Sequence, residues 1–541
     1  IVAWVSLYKG VLEYSGQRII SSGDIEMGSR KIQMKSLVIC AVLAVSLMIG
    51  ESVHAQVQGR VVDLTLEGMV DLALSNSFRV RQLNMGIDRT RFRLQSQRAR
   101  LRSRVDLNLS APDLRSISET KWNSTLQRDE IVHEDSRRLE AELSIRQPVI
   151  LFGYPTNGYL SLNNRVYRYA QTEPDGDKDL RYYNRYFIRY TQPFFQANGL
   201  KNNIEEAELD LEDTQLGFYE DVVEIVDDLS GDYFELFEST YQRIINEARV
   251  ANLTEAVAAA EELALTDTVR AIDLGQIQVE LANALEQVRQ MESQFRLQAA
   301  SLTTTLNLSP SDSITLTPVI DVRPIEIDVE QATQFALQLT PRMRQLNISY
   351  RESEINLENT RSRGSFRMDL AMSYGREMQD PAFRDLWERP SNTYTIDVNA
   401  YLPIWDWGQR SASIASSRIG LDQVQLRIEQ AEQQIRSQVQ NQVTNVEEFE
   451  ARTLAMEGNL ALANDLSASS IDLYREGLIS ALELIQSFQR ESETASNFLD
   501  AYLGWRRALL RIQQLTFYDF ETMLPVLERF GIPMTDPNTD G

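Results

Sequence analysis

The chain has 541 residues and carries 54 Lys and Arg against 78 Asp and Glu, a formal charge of −24. That acidity argues against nucleic acid as a partner, because phosphate binding needs a basic face. One Cys and two His leave no basis for thiol catalysis, a Cys-rich zinc site or a disulfide framework, and 24 Gly with 15 Pro are too few for an all-β chain of tight turns.

Residues 1–33 begin with Ile and read as an over-extended reading frame, with Met34 as the expected start. Lys35, the apolar run Leu37–Ile49 and the small-residue site Val53-His54-Ala55 then spell a secretory signal peptide over 34–55. The apolar run falls short of the ~20 residues a transmembrane helix needs. Cys40 lies inside that run rather than after it, which does not suit lipidation. Past Ala55 no apolar stretch reaches the length of a spanning helix, so any membrane entry is expected as a β-barrel.

The rest of the chain is written twice. Leu64-Thr65-Leu66-Glu67 matches Ile327-Asp328-Val329-Glu330, Arg81-Gln82-Leu83-Asn84 matches Arg344-Gln345-Leu346-Asn347, and Arg104-Val105-Asp106-Leu107 matches Arg367-Met368-Asp369-Leu370, always 263 residues apart. A register held so long without a gap reads as an internal duplication. Each copy opens on a helical pattern, with Thr65 and Asp328 at the N-cap and Gln331 completing a capping box.

The period then changes to two, the mark of strands with one apolar and one polar face. Strands are expected over 103–110 and 182–192 in the first copy, and over 366–374 and 393–402 in the second. Both copies leave their last strand through a Pro and then a Gly: Pro193 and Gly199, then Pro403, Trp405 and Gly408. The Pro is expected to end ladder pairing and the Gly to allow the turn into a helix. At these prolines the offset is 210, so the first copy holds 53 extra residues. They contain two more alternating runs, 139–149 and 158–169, read as a hairpin inserted between the original strands. The polar stretch Gln127–Arg138, with His133 in it, reads as a surface loop.

Long polar helices follow, expected over 200–265 and 276–306, and over 409–474 and 478–515, with turns at Gly275 and Gly477. The longer helix of each pair spans ~95 Å at 1.5 Å per residue. Ser309-Pro310-Ser311 links the first repeat, 62–310, to the second, 325–518, and 519–541 reads as a C-terminal tail. Acidic pairs such as Glu205-Glu206 and Asp227-Asp228 read as solvated helix faces. No cofactor, metal or catalytic constellation stands out, so an enzyme is not expected.

This plan resembles the TolC family of outer-membrane efflux proteins. The resemblance rests on the order of signal peptide, duplicated helix–strand–strand–helix halves, Pro–aromatic–Gly strand exits and Gly tips. The sharpest local matches are Tyr401–Arg410 and Tyr474–Ile485, and the likeness covers about residues 62–518. It implies an α+β membrane protein: a homotrimer closing one transmembrane β-barrel, four to six strands per chain, continued by an α-helical coiled-coil barrel through the periplasm. It also implies outer-membrane lipid, a periplasmic adaptor (membrane fusion protein) and an inner-membrane transporter as partners.

In such proteins acidic residues six and nine positions after the second tip glycine line the periplasmic entrance. Here those positions are Glu483 and Gln486, so the pattern keeps one charge and loses the other. The usual basic residue two positions after the glycine is replaced by Ile479, so the familiar ion-pair lock is not expected. Gly275, Gln276 and Ile277 at the first tip, and Gly477, Leu478, Ile479 and Ser480 at the second, would form the adaptor-docking surface. The reading is an outer-membrane exit duct for efflux. The alternatives are the outer-membrane component of type I protein secretion and a periplasmic coiled-coil scaffold that carries nothing.

Overall fold

The computed structural model describes residues 61–123, 127–172, 178–265 and 270–531, all in the unit Gly59–Gly541. The expected signal segment and the residues before it lie outside the described residues, as do 532–541. The described chain opens with β1 (Val61–Asp63), α1 (Leu66–Asn76) and α2 (Phe78–Ala99). Thr65 caps α1 through the Gly68 amide at 3.1 Å. Ser77 ends α1 and caps α2 through the Val80 amide at 3.3 Å, so the chain bends there without losing a helix cap.

Four strands come next: β2 (Arg104–Asn123), β3 (Arg128–Leu151), β4 (Tyr154–Thr172) and β5 (Lys178–Phe194). Then α3 (Gly199–Ala264), α4 (Arg270–Thr305) and β6 (Ser313–Thr315) complete the first half. The second half holds α5 (Val329–Gln338), α6 (Pro341–Arg363), β7 (Arg367–Asp380), β8 (Ser391–Tyr401), α7 (Gln409–Arg475) and α8 (Ala481–Thr516). Leu66 and Val329, Phe78 and Pro341, and Arg104 and Arg367 open corresponding elements, each pair 263 residues apart. β6 returns to pair in parallel with β1, Val61 against Ser313, a join the sequence did not announce.

Among the described residues the long strands form one six-stranded antiparallel sheet in the order β2-β3-β4-β5-β7-β8. The inserted hairpin β3–β4 lies inside this sheet, between the strands it separates in sequence. Two added strands preserve direction: β2 still leaves the helices and β5 still returns to them. The β3–β4 turn has only Phe152 and Gly153 between Leu151 and Tyr154, with φ of 51° and 86°, the two positive values a type I′ hairpin needs.

The strands are much longer than their alternating runs. β2 has 20 residues and β3 has 24, against the ~9–11 that cross a bilayer. The stretch expected as a loop is strand: His133 pairs with Ser118. Alternation marked only the part of each strand with a regular period of two; farther out, over 113–123 and 128–138, the sequence loses that period. Nor does Pro193 end pairing, since β5 continues to Phe194 and Pro193 faces Asp369. Lacking an N–H, Pro is tolerated at this strand end. Gln192 braces the position, its amide donating to the carbonyls of Thr156 at 2.7 Å and Pro193 at 2.9 Å. Gln147 does the same for Pro148 at 3.0 Å, which explains the repeated Gln-Pro pair.

Each long helix is partnered by two short ones. Along the first half of α3 runs α2, tied by Arg79 to Asp228 at 2.9 Å and Arg93 to Asp210 at 2.6 Å; along the second half runs α4, through Ser239 to Gln298 at 2.7 Å. On α7, α6 and α8 play the same parts, through Thr360 with Ser417 and the Ala508 carbonyl with Gln442. From the second copy, Arg344 and Arg351 reach Glu212 and Glu205 of α3 at 2.5 and 2.6 Å. The acidic pairs expected as solvated faces are therefore partly cross-helix ion pairs.

Where these helices meet β1 and β6, a core forms around Met69, Leu236, Val439 and Trp505, all essentially buried. The segment expected as tail begins with β9 (Tyr518–Asp519), β10 (Leu524–Pro525) and α9 (Val526–Arg529). Asp519, fully buried, accepts from Gln513 at 2.7 Å, Arg529 at 2.6 Å and Thr522 at 2.8 Å. Asp519→Ala would leave the buried Gln513 amide without its acceptor and Arg529 with only its 2.8 Å contact to the exposed Glu67, a loss of about 1–3 kcal/mol. A thermal melt in detergent should show a clear drop; an unchanged midpoint would mean that water replaces the carboxylate.

Candidate functional site

The far ends of the two helical hairpins pack together. Leu253 and Ala260 from α3, Ile277 and Ala284 from α4, and Tyr474 and Leu484 from α7 and α8 form one apolar cluster. The second tip follows the sequence closely. Gly477 ends α7 at φ 75°, and the Leu478 amide donates back to the Leu473 carbonyl at 2.9 Å, the left-handed termination glycine favours. Ser480, expected in a helix, instead caps α8, which begins at Ala481. Leu478 stays 67% exposed, whereas Ile479 packs against the cluster.

Glu483 completes a capping box, accepting from the Ser480 amide at 2.8 Å and hydroxyl at 2.9 Å. Those two hydrogen bonds hold its carboxyl below the usual Glu range. Glu483 and Gln486 are both exposed and, three residues apart, share one face of α8. The Ser-x-x-Glu signature of the cap was present in the sequence.

The first tip departs from expectation. α4 begins at Arg270, so Gly275 lies within its second turn rather than in the connection. Glycine inside a helix costs only about 1 kcal/mol, and its presence there mimicked a turn signal. Gln276 is exposed but Ile277 is fully buried, so Ile277 is unavailable as a docking residue in this arrangement. What sequence reasoning missed is the link between hairpins: Arg475 of α7 pairs with Glu255 of α3 at 2.6 Å, both about half-exposed. No spacing rule connects residues 220 apart.

The strand exits are built differently in the two halves. Gly408 is left-handed at φ 83°, and Asp406 caps α7 by accepting from the Gly408 and Arg410 amides at 3.0 and 2.9 Å. Gly199 is simply the first residue of α3. Asn198 caps it through the Lys201 amide at 3.1 Å, and the left-handed residue is Phe195 at φ 61°. Beyond Pro403, Trp405 and Trp407 stand exposed, their rings edge to face at 5.6 Å.

Register gives the sheet two unlike faces. One rung runs Val105-Ile145-Leu162-Ile188-Tyr374-Tyr394 across all six strands, apolar throughout and largely solvent-exposed. The neighbouring rung on the other face reads Asp106-Ser144-Asn163-Phe187-Gly375-Thr393. Among the described residues β2 and β8 each lack a neighbour on one side. No described helix is long and apolar enough to cross a membrane, and no described group of His, Cys, Asp or Glu is placed to hold a metal.

Residues 333–516 match the outer membrane efflux protein family. Among solved structures the chain resembles CusC, a channel whose folding and transmembrane channel formation are described (15% identity, TM-score 0.62, 84% of this chain and 92% of that one). It also resembles the outer membrane protein VceC from Vibrio cholerae (13%, 0.58, 83% and 96%) and the Campylobacter jejuni CmeC outer membrane channel (11%, 0.57, 97% and 97%). No curated protein matches the chain in sequence. The family's pattern thus runs from α5 to the end of α8, and from sheet to helical tip the chain has the fold of these outer-membrane channels.

Proposed function

We propose that the chain is the outer-membrane exit duct of a tripartite efflux system, a passive channel that docks to a periplasmic adaptor and an inner-membrane transporter. The observation that carries this is the six-stranded sheet, apolar along one face and open at both edges. Unpaired edges and an exposed apolar face are costly in water and edges are costlier still in lipid. Three chains joined edge to edge remove both costs, giving 18 strands around one lumen with the polar face inward. The exposed aromatics at the helix end of the sheet suit the interfacial belt of a membrane protein. A water-soluble scaffold would have no use for that face.

The test is the state of the protein in the envelope. Heat-modifiable trimers in the outer-membrane fraction and discrete channels in planar bilayers are expected; a soluble monomer after osmotic shock removes the duct. At the tip, three Glu483 carboxylates would ring the axis and favour cations. Glu483→Gln separates charge from cap, since Gln at this position can still accept from the Ser480 amide. It should weaken block by multivalent cations without loss of trimer. In the native protein the Ser480 bonds favour the carboxylate, so block should fade over a pH range lower than that of an uncapped Glu. Equal block in both proteins would place Glu483 away from the lumen.

The exposed Leu478 suits an adaptor contact. Leu478→Asp should abolish pump-dependent resistance while trimers still form; loss of the trimer would instead assign Leu478 to folding.

A further inference from the structure

The polar face of the sheet carries a cleft of about 520 Å³ lined by residues of β2 to β5. Its charge runs against that of the whole chain. Arg146, Arg165, Arg185 and Arg189 line it against only Asp106 and Glu142, in a protein with a formal charge of −24. Two of these arginines are already engaged. Arg165 pairs with Glu140 at 2.9 Å and Glu142 at 3.0 Å, and Arg185 lies 3.8 Å from Glu377. Asp106 is taken by Arg104 at 2.8 Å.

Arg146 and Arg189 have no carboxylate partner among the described residues. Each lies over a ring instead: Arg146 6.0 Å from the centre of Tyr159, and Arg189 5.3 Å from that of Phe187. They share a rung, because Arg146 faces Ser161 on β4 and Ser161 faces Arg189 on β5. Two strand spacings set their backbones ~9.6 Å apart on the same face, and long guanidinium side chains close such a gap onto a single group. A guanidinium held only by a ring face keeps N–H groups for an oxyanion, which it binds by paired charge-assisted hydrogen bonds.

We infer that Arg146 and Arg189 form an oxyanion site above Ser161, which takes the carboxylate or phosphate group of a solute crossing the sheet end of the duct. Its role in transport rests on the duct reading, whereas its chemistry does not. In a trimer the site would recur three times around the lumen, a cationic belt beyond the acidic helices. Solutes bearing carboxylate or phosphate would then be held and passed on, while cations meet a barrier.

The experiment separates the two claims. Titration calorimetry of the detergent-solubilised full chain with citrate and, separately, with pyrophosphate reads the site alone. Saturable binding is expected, weakened about tenfold or more in Arg146→Gln/Arg189→Gln, since each loses charge-assisted bonds, and unchanged in Arg367→Gln, which alters an arginine on the same face outside the cleft. Tighter binding of citrate would assign the site to carboxylates, of pyrophosphate to phosphates. Absence of binding in the native chain, or equal weakening by Arg367→Gln, overturns the site. Planar-bilayer recordings then read the duct. Citrate added on the sheet side should block the native channel and spare the double variant, and channels whose block is the same in both again overturn the site. Binding in a protein that never conducts would overturn the duct and leave the site standing.

Discussion

Ile396→Arg is expected to eliminate the outer-membrane trimer, whereas Thr393→Arg, three residues earlier on the same strand, should leave it intact. Ile396 is 67% exposed on edge strand β8 and pairs with Met372, whose rung continues through Tyr190 and Leu160. An arginine on the lipid face near the bilayer centre costs ~2–4 kcal/mol. Three copies in one barrel multiply that to ~6–12 kcal/mol, comparable to the whole stability of a typical domain. Thr393 lies on the rung with Asn163 and Asp106, where a charge would meet water. The measurement is the heat-modifiable trimer band in outer-membrane fractions. Equal assembly of both variants would mean that the apolar face is not against lipid.

Deleting residues 128–172 should narrow the proposed trimeric barrel without destroying it. That change removes β3 and β4 together and leaves β2 running out and β5 running back as an ordinary hairpin. Twelve strands in place of 18 would reduce the diameter by roughly a third. In the proposed trimer the ring of Glu483 lies on the same path, so conductance is a poor gauge of the sheet end. The size limit for neutral polymers entering from the extracellular side reads it directly and should fall by about that third. Deleting 128–151 alone leaves an odd number of strands and turns β5 away from α3, so no assembled protein is expected. An unchanged polymer limit after the two-strand deletion would make the hairpin an accessory; normal assembly after the one-strand deletion would refute the parity argument.

The amino-acid sequence by itself determined the local grammar. Period-two runs such as Tyr394-Ile396-Val398 marked the strand segments with one apolar face, and Thr65, Asp328 and Gly477 marked helix ends, because caps and alternation act over a few residues. The spacing of 263 was legible for the same reason, since it needs only comparison of the chain with itself. Tertiary structure alone decided what depends on partners distant in sequence. It put β3 and β4 inside the sheet, drew the polar strand through His133 by pairing it with Ser118, and started α4 before Gly275. It also joined Arg475 to Glu255 and set Arg146 and Arg189 on one rung. Each of these is a choice of neighbour, made by closing hydrogen-bond ladders and burying side chains across tens or hundreds of residues, and a local pattern carries no record of which neighbour will be there.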